Sequence, residues 1–187
     1  MPQNSSAISD QLVTADELLE HPEMKHCELV NGKVVPMSPA GSEHGGIAGL
    51  IAGHLFVYSM SHAPGRILVA EAGFLISRNP DTVRAPDLMY IETSRLPDGK
   101  LLKGFLTTPP DVALEVVSPT DTFSEVVEKA ESYVSAGVRL VWVIDPQTLR
   151  AYVFRKGKPV NNLTQDDVLS GEDVLPGFEL ALNEIFR

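Results

Sequence analysis

The stretch "TTPPDVALEVVSP", residues 107–119, is apolar and β-branched in its middle and bounded by prolines at both ends. It reads as a short buried strand, yet Glu115 sits inside it. Alternate residues of a strand share a face. Asp111, Ala113, Glu115 and Val117 therefore point one way, and Val112, Leu114 and Val116 the other. A buried carboxylate without a partner costs several kcal/mol or takes up a proton. Glu115 needs an Arg or Lys, water at the sheet's edge, or a cation.

Outward from this strand the pattern alternates. "FSEVVEKAESYVSAG" (123–137) predicts a helix with Ser124 as N-cap and Gly137 closing its C-terminus. "VRLVWVID" (138–145) predicts an apolar strand covered on both faces, and "LRAYVFRKGK" (149–158) its hairpin partner. The unit 111–145 should be a right-handed crossover between parallel neighbours. Upstream, "VRAPDLMYI" (83–91) and "GRILVAEAGFLIS" (65–77) each read as one strand, and 92–108 as a loop. From Glu43 to about Ser61 the period is helical, with Ile47, Leu50, Ile51, Leu55 and Tyr58 on one face. Gly45, Gly46, Gly49 and Gly53 in that helix are expected to permit close helix packing. "CELVNGKVVPM" (27–37) is a hairpin about Asn31-Gly32, and "TADELLE" (14–20) a short helix with a Thr14/Glu17 capping box. Residues 1–12 read as a loose tail, and the C-terminus as short strands with a last turn of helix. The whole is one mixed α/β domain over residues 1–187: a mixed β-sheet flanked by helices, with an N-terminal β-hairpin.

Composition sets outer bounds. The 187 residues suit one domain with its own core. The N-terminus carries no basic flank or apolar core of a signal peptide, and no stretch reaches the roughly 18 apolar residues of a membrane span. A single cysteine, Cys27, excludes an internal disulfide and a cysteine-cluster zinc site, so a reducing, cytoplasmic setting is the expectation. The net charge of −10 argues against a protein that coats nucleic acid electrostatically, although it suits a site that binds a divalent cation. No phosphate-cradling glycine loop or nucleophile-elbow serine is present, and Trp142 reads as core rather than as a base-stacking platform.

Asp87, in "RAPDLMYI", gives a second apolar strand its own carboxylate. If the two strands are neighbours, the carboxylates of Asp87 and Glu115 converge and repel unless a cation sits between them. Hard divalent ions take oxygen ligands and keep several waters, so two carboxylates and a main-chain carbonyl suffice.

A Pro-Asp on one strand followed by a Glu on the next resembles the PD-(D/E)XK superfamily with its restriction-endonuclease-like fold. That pattern has a lysine two residues after the glutamate, where this chain has Val117. "CELVNGKVVPMSPAGSEHGGIAGLIAGHL", "RAPDLMYI", "DVALEVVSPTDTFSEVVEKAESYVSAGVRLVWVIDP" and "VLPGFELALNEIF" together resemble the Uma-type endonuclease branch, over nearly the whole chain after the first dozen residues. In that branch the lysine has moved to the next helix, which here gives Lys129. From the helix pitch, Lys129 flanks the buried stripe Val126, Val127, Ala130, Tyr133 and Val134. It can snorkel to the sheet's end or pair in solvent with Glu125 at i−4. His44 resembles the family's histidine near the site; a locally bonded helix-end histidine is the alternative. Glu28 matches a recurrent family glutamate, as a supporting ligand or the partner of an arginine. Glu71 is a weaker candidate. The family often has an acid where this chain has Leu140.

The resemblance implies a Mg²⁺- (or Mn²⁺-) dependent endonuclease acting on DNA, working as a homodimer and with no membrane role. Asp87, Glu115 and the Val116 carbonyl would hold the metal, and Lys129 would act at the attacking water. Arg66, Arg84, Lys100 and Lys103 are candidates for a basic cleft. A binding or assembly module on the same fold is the alternative, suggested by Val117, Leu140 and the acidic charge.

Overall fold

The computed structural model describes residues 12–70 and 72–187. In chain order its elements are α1 (Ala15–Glu20), β1 (Cys27–Val30), β2 (Lys33–Pro36), α2 (Ser42–Ser61), β3 (Gly65–Val69), β4 (Phe74–Ser77), β5 (Thr82–Arg84) and β6 (Leu88–Glu92). There follow β7 (Val112–Val116), α3 (Phe123–Ser135), β8 (Leu140–Asp145), β9 (Arg150–Phe154), β10 (Asn161–Thr164), β11 (Val168–Ser170), β12 (Glu179–Ala181) and α4 (Leu182–Ile185).

Every residue of β7 is buried, because β7 is interior to a six-stranded sheet of order β10-β9-β8-β7-β6-β3. β7 and β8 pair in parallel across the α3 crossover, and β6 pairs with β7 antiparallel. The alternation expected of β7 holds. Val112, Leu114 and Val116 join the core under α2 with Ile47, Ile51, Leu55, Tyr58 and Trp142. Ala113 and Val117 join the core under α3 with Val126, Ala130 and Tyr133. Each such large apolar side chain contributes about 1.5–3 kcal/mol by leaving water. Trp142 is fully buried, as its sequence context predicts.

Asn31 and Gly32 take φ of 50° and 77°, the left-handed pair that a two-residue hairpin requires. The α1 capping box of Thr14 and Glu17 forms as expected.

Four expectations are corrected. First, 65–77 is two strands. The ladder to β6 stops at Val69, Ala70 turns to φ 58°, and β4 joins a separate four-stranded sheet of order β2-β1-β5-β4. Second, 83–91 is also two strands, one in each sheet, because Pro86 lacks a ladder donor and the Ala85 N–H goes to Glu28 instead. Third, α3 is capped by Thr122, not Ser124. Thr122 has extended backbone and exchanges hydrogen bonds with Glu125, while Ser124 is already inside the first turn. Fourth, the α2 glycines do not mediate close packing: at Gly45, Gly46, Gly49 and Gly53 an added Cβ would meet nothing within 4 Å among the described residues. Residues 1–11 of the expected tail, and Glu71, lie outside the described residues.

Candidate active site

Extending the β6–β7 register (Leu88 opposite Leu114) by one residue puts Asp87 opposite Glu115. Asp87 is in the bend that Pro86 imposes before β6, and its Oδ2 accepts a 2.7 Å hydrogen bond from the Val116 N–H. Residue 116, expected to contribute its carbonyl, thus meets Asp87 through its amide. His44, in the first turn of α2, brings Nε2 to 3.0 Å from the same Oδ2. The local-histidine alternative for His44 is set aside, and its Nδ1 has no partner among the described residues.

Glu115 is buried on the α3 side. Its Oε1 accepts from the Tyr133 hydroxyl at 2.6 Å and its Oε2 from Lys129 Nζ at 3.1 Å. Lys129 also lies 3.3 Å from Glu28 Oε1. Lys129 therefore turns inward to the sheet, while Glu125, its surface alternative, is spent on the α3 cap. Glu28 on β1 is the partner of an arginine, one of the two readings made for it: it accepts from Arg84 Nη1 at 2.7 Å and from the Ala85 N–H at 2.9 Å, and it shares Lys129. The sequence pattern places Tyr133 only in the core stripe. Its spacing, four residues after Lys129 on the same helical face, is the one signal that could have tied it to Glu115.

The cluster sets the carboxylates of Glu28, Asp87 and Glu115 against Lys129 and Arg84, with His44 beside them. Burial pushes the Glu115 carboxyl up to about 7; Lys129 pulls it down, the Asp87 charge pushes it up, the Tyr133 hydrogen bond pulls it down and the Glu28 charge adds to the rise. Burial alone would lower Lys129, yet the charges of Glu115 and Glu28 outweigh it and raise the ammonium above its ordinary value. The hydrogen bond to Asp87 raises His44 against the opposing effect of burial. The centre has more carboxylate than matched cation.

That excess suits a hard cation. Both hydrogen-bonding contacts given to Asp87 by the described residues fall on Oδ2, so Oδ1 could serve as an oxygen donor. Among the described residues no three or more His, Cys, Asp or Glu form a ready-made ligand cluster. An ion held here would complete its shell with main-chain oxygen and water, which is the habit of Mg²⁺.

Both departures from the family pattern have a physical reading. Val117 packs in the α3-side core, and the amine reaching Glu115 comes from Lys129. Leu140 is buried on the α2 side, pairing with Val112, so an acid at 140 would face away from Glu115. Of the cleft cations, Arg84 is committed to Glu28, while Arg66, Lys100 and Lys103 are exposed. Lys100 lines a cavity of about 230 Å³ with Leu68, Leu96 and Phe105 rather than the carboxylate cluster.

The sequence profile of the Uma2 family, described as "Putative restriction endonuclease", matches residues 15–183. This chain belongs to the Uma2 family. A crystal structure of a "putative nuclease belonging to DUF820" from Anabaena variabilis ATCC 29413 superimposes with a TM-score of 0.79 at 20% identity, covering 93% of this chain and 97% of that one. At that identity the likeness establishes a shared fold, here the restriction-endonuclease-like one. No curated protein sequence matches significantly. Uma2 membership supports a nuclease-like function, and restriction-endonuclease-like families are generally metal-dependent. No helix among the described residues is long and apolar enough to cross a membrane.

Proposed function

We propose that this Uma2 chain is a Mg²⁺- or Mn²⁺-dependent endonuclease that hydrolyses DNA phosphodiester bonds. The observation that carries the reading is the convergence of Asp87, Glu115, Lys129, Glu28 and His44, from separate elements, at one end of the large sheet. Asp87, Glu115 and the main-chain oxygen of Val116 would hold the ion. A bound divalent ion supplies charge for the phosphate and makes hydroxide accessible near neutral pH. Lys129, held as an ammonium by its two glutamates, acts as a donor that orients the attacking water and meets charge developing on the phosphate. It is not a base at neutral pH. His44 holds Asp87 in place, and Tyr133 fixes one Glu115 oxygen so that the other serves Lys129.

The binding-module alternative draws on Val117, Leu140 and the net charge of −10. Neither Val117 nor Leu140 removes a group from the cluster and an acidic charge suits a cation site, which supports the catalytic reading. Cutting both strands would use two copies as a homodimer, and the single free Cys27 fits a reducing cytoplasm. The test is nicking of supercoiled plasmid with Mg²⁺ or Mn²⁺. Wild type should nick, and Asp87→Ala and Glu115→Ala should not. Metal binding without cleavage of any DNA form would leave the module instead.

A further inference from the structure

Across the sheet from Glu115, the register runs Glu115–Val143–Tyr152–Asn162 over β7, β8, β9 and β10. Tyr152 is half-buried against the α3-side core, so it faces the same way as Glu115. Two strand spacings put it about 10 Å from Glu115. Phe123, the first residue of α3, packs against it in a tilted arrangement, with ring centroids 4.7 Å apart and planes inclined at 53°. Phe123 is nevertheless 41% exposed, although a first-turn position needs no aromatic ring. Arg150, two residues along β9 on the same face, is held by Asn162 at 2.9 Å. Asp145, opposite Arg150 in register, spends its carboxylate on Gln147 and Thr148.

From this juxtaposition we infer that Phe123, backed by Tyr152 and flanked by Arg150, is a stacking platform for an unpaired nucleobase lying within about three nucleotides of the cleaved phosphate, at the 3.4 Å rise of a stacked strand. The inference rests on the nuclease reading and narrows its substrate to nucleic acid with single-stranded character beside the cut. Stacking on a side chain needs the open face of a base. In a duplex that face is covered by the neighbouring pair, whereas an unpaired base offers it whatever its identity. Arg150 supplies a cation for the adjoining phosphate.

The test uses the full chain, with Ca²⁺ in place of Mg²⁺, a short single-stranded DNA carrying 2-aminopurine, and the same sequence as a duplex. Wild type should bind the single strand more tightly and quench the 2-aminopurine. Phe123→Leu keeps an apolar cover over Tyr152 without the aromatic face. It should weaken single-strand binding about 5- to 150-fold, lose the quench, and leave duplex affinity and Tm unchanged. Phe123→Trp should restore both. Equal weakening for both DNAs, or none, overturns the platform. If wild type nicks plasmid while Phe123→Leu still binds single strands as tightly, the platform alone falls. If wild type binds neither DNA, the platform and the nucleic-acid reading fall together.

Discussion

Asp111 and Glu115 lie on the same face of one segment, about 13 Å apart at strand rise, and both are buried. Their surroundings differ. Asp111 Oδ1 accepts from Arg95 at 2.5 Å and Arg139 at 3.0 Å, and its Oδ2 from the Glu92 N–H at 2.8 Å. Every strong partner there is a cation or a donor. Glu115 shares its one lysine with Glu28 and faces Asp87, and only the Tyr133 hydroxyl is its own. Burying a carboxylate is thus compatible with either a structural tie or a reactive centre. The local balance of charge separates them: Asp111 is saturated, whereas Glu115 stands in a group with carboxylate to spare.

The largest expected effect tests that division on rate. Glu115→Gln should reduce Mg²⁺-dependent nicking by about 10³-fold, as loss of a preorganised charge in a catalytic site does. Asp111→Asn should leave the rate of the folded fraction within about tenfold, measured at a temperature where both variants are folded. Similar losses in both would erase the distinction.

On stability the two positions should exchange rank. Asp111→Ala removes the shared acceptor of two partly exposed arginines and of the Glu92 N–H, and urea unfolding should show a loss of about 1–2 kcal/mol. At about pH 4.5, where the folded Glu115 carboxyl is neutral like the amide that replaces it, Glu115→Gln should change the metal-free stability by less than about 1 kcal/mol.

A pH series sharpens the contrast further. The folded Glu115 carboxyl is raised from 4.5 to about 7. Its contribution is therefore full below about 4.5 and is lost as pH rises through about 7. Without metal, Tm of wild type minus Tm of Glu115→Gln should fall between those limits. A flat difference would count against the crowded centre.

The smallest effect concerns Asp81, a saturated carboxylate under the small sheet. It accepts from the Ala15 N–H at 2.8 Å, Arg78 at 2.8 Å and the Asn79 N–H at 3.2 Å. The Ala15 and Asn79 amides and Arg78 together hold it below its ordinary 3.8 against burial. Its contribution is present above that value and is lost as pH falls below it. Asp81→Ala should cost about 1–2 kcal/mol, with nicking unchanged.

Legibility in the sequence followed the range of the interactions. The β7 alternation, the Asn31-Gly32 hairpin, the α1 box and the parallel β7–β8 pair are set by local chemistry and were readable. The splits at Ala70 and Pro86 were not, because continuous apolar runs conceal a change of sheet, and only tertiary partners such as the Glu28–Ala85 hydrogen bond mark the break. At the site, Asp87, Glu115 and Lys129 could be named from spacing and family resemblance. Tyr133 could not, since a tyrosine in an apolar stripe reads as core. Asp111 could not be told from Glu115 either: Arg95 and Arg139 lie 16 and 28 residues away along the chain, and no spacing rule joins them.

Mn²⁺ titration of the wild-type chain, Asp87→Asn and Asp111→Asn by electron paramagnetic resonance addresses the charge-balance argument most directly. The account predicts one ion per chain in wild type and in Asp111→Asn, and loss of that ion in Asp87→Asn. Undiminished binding in Asp87→Asn, or no ion in wild type, would contradict it.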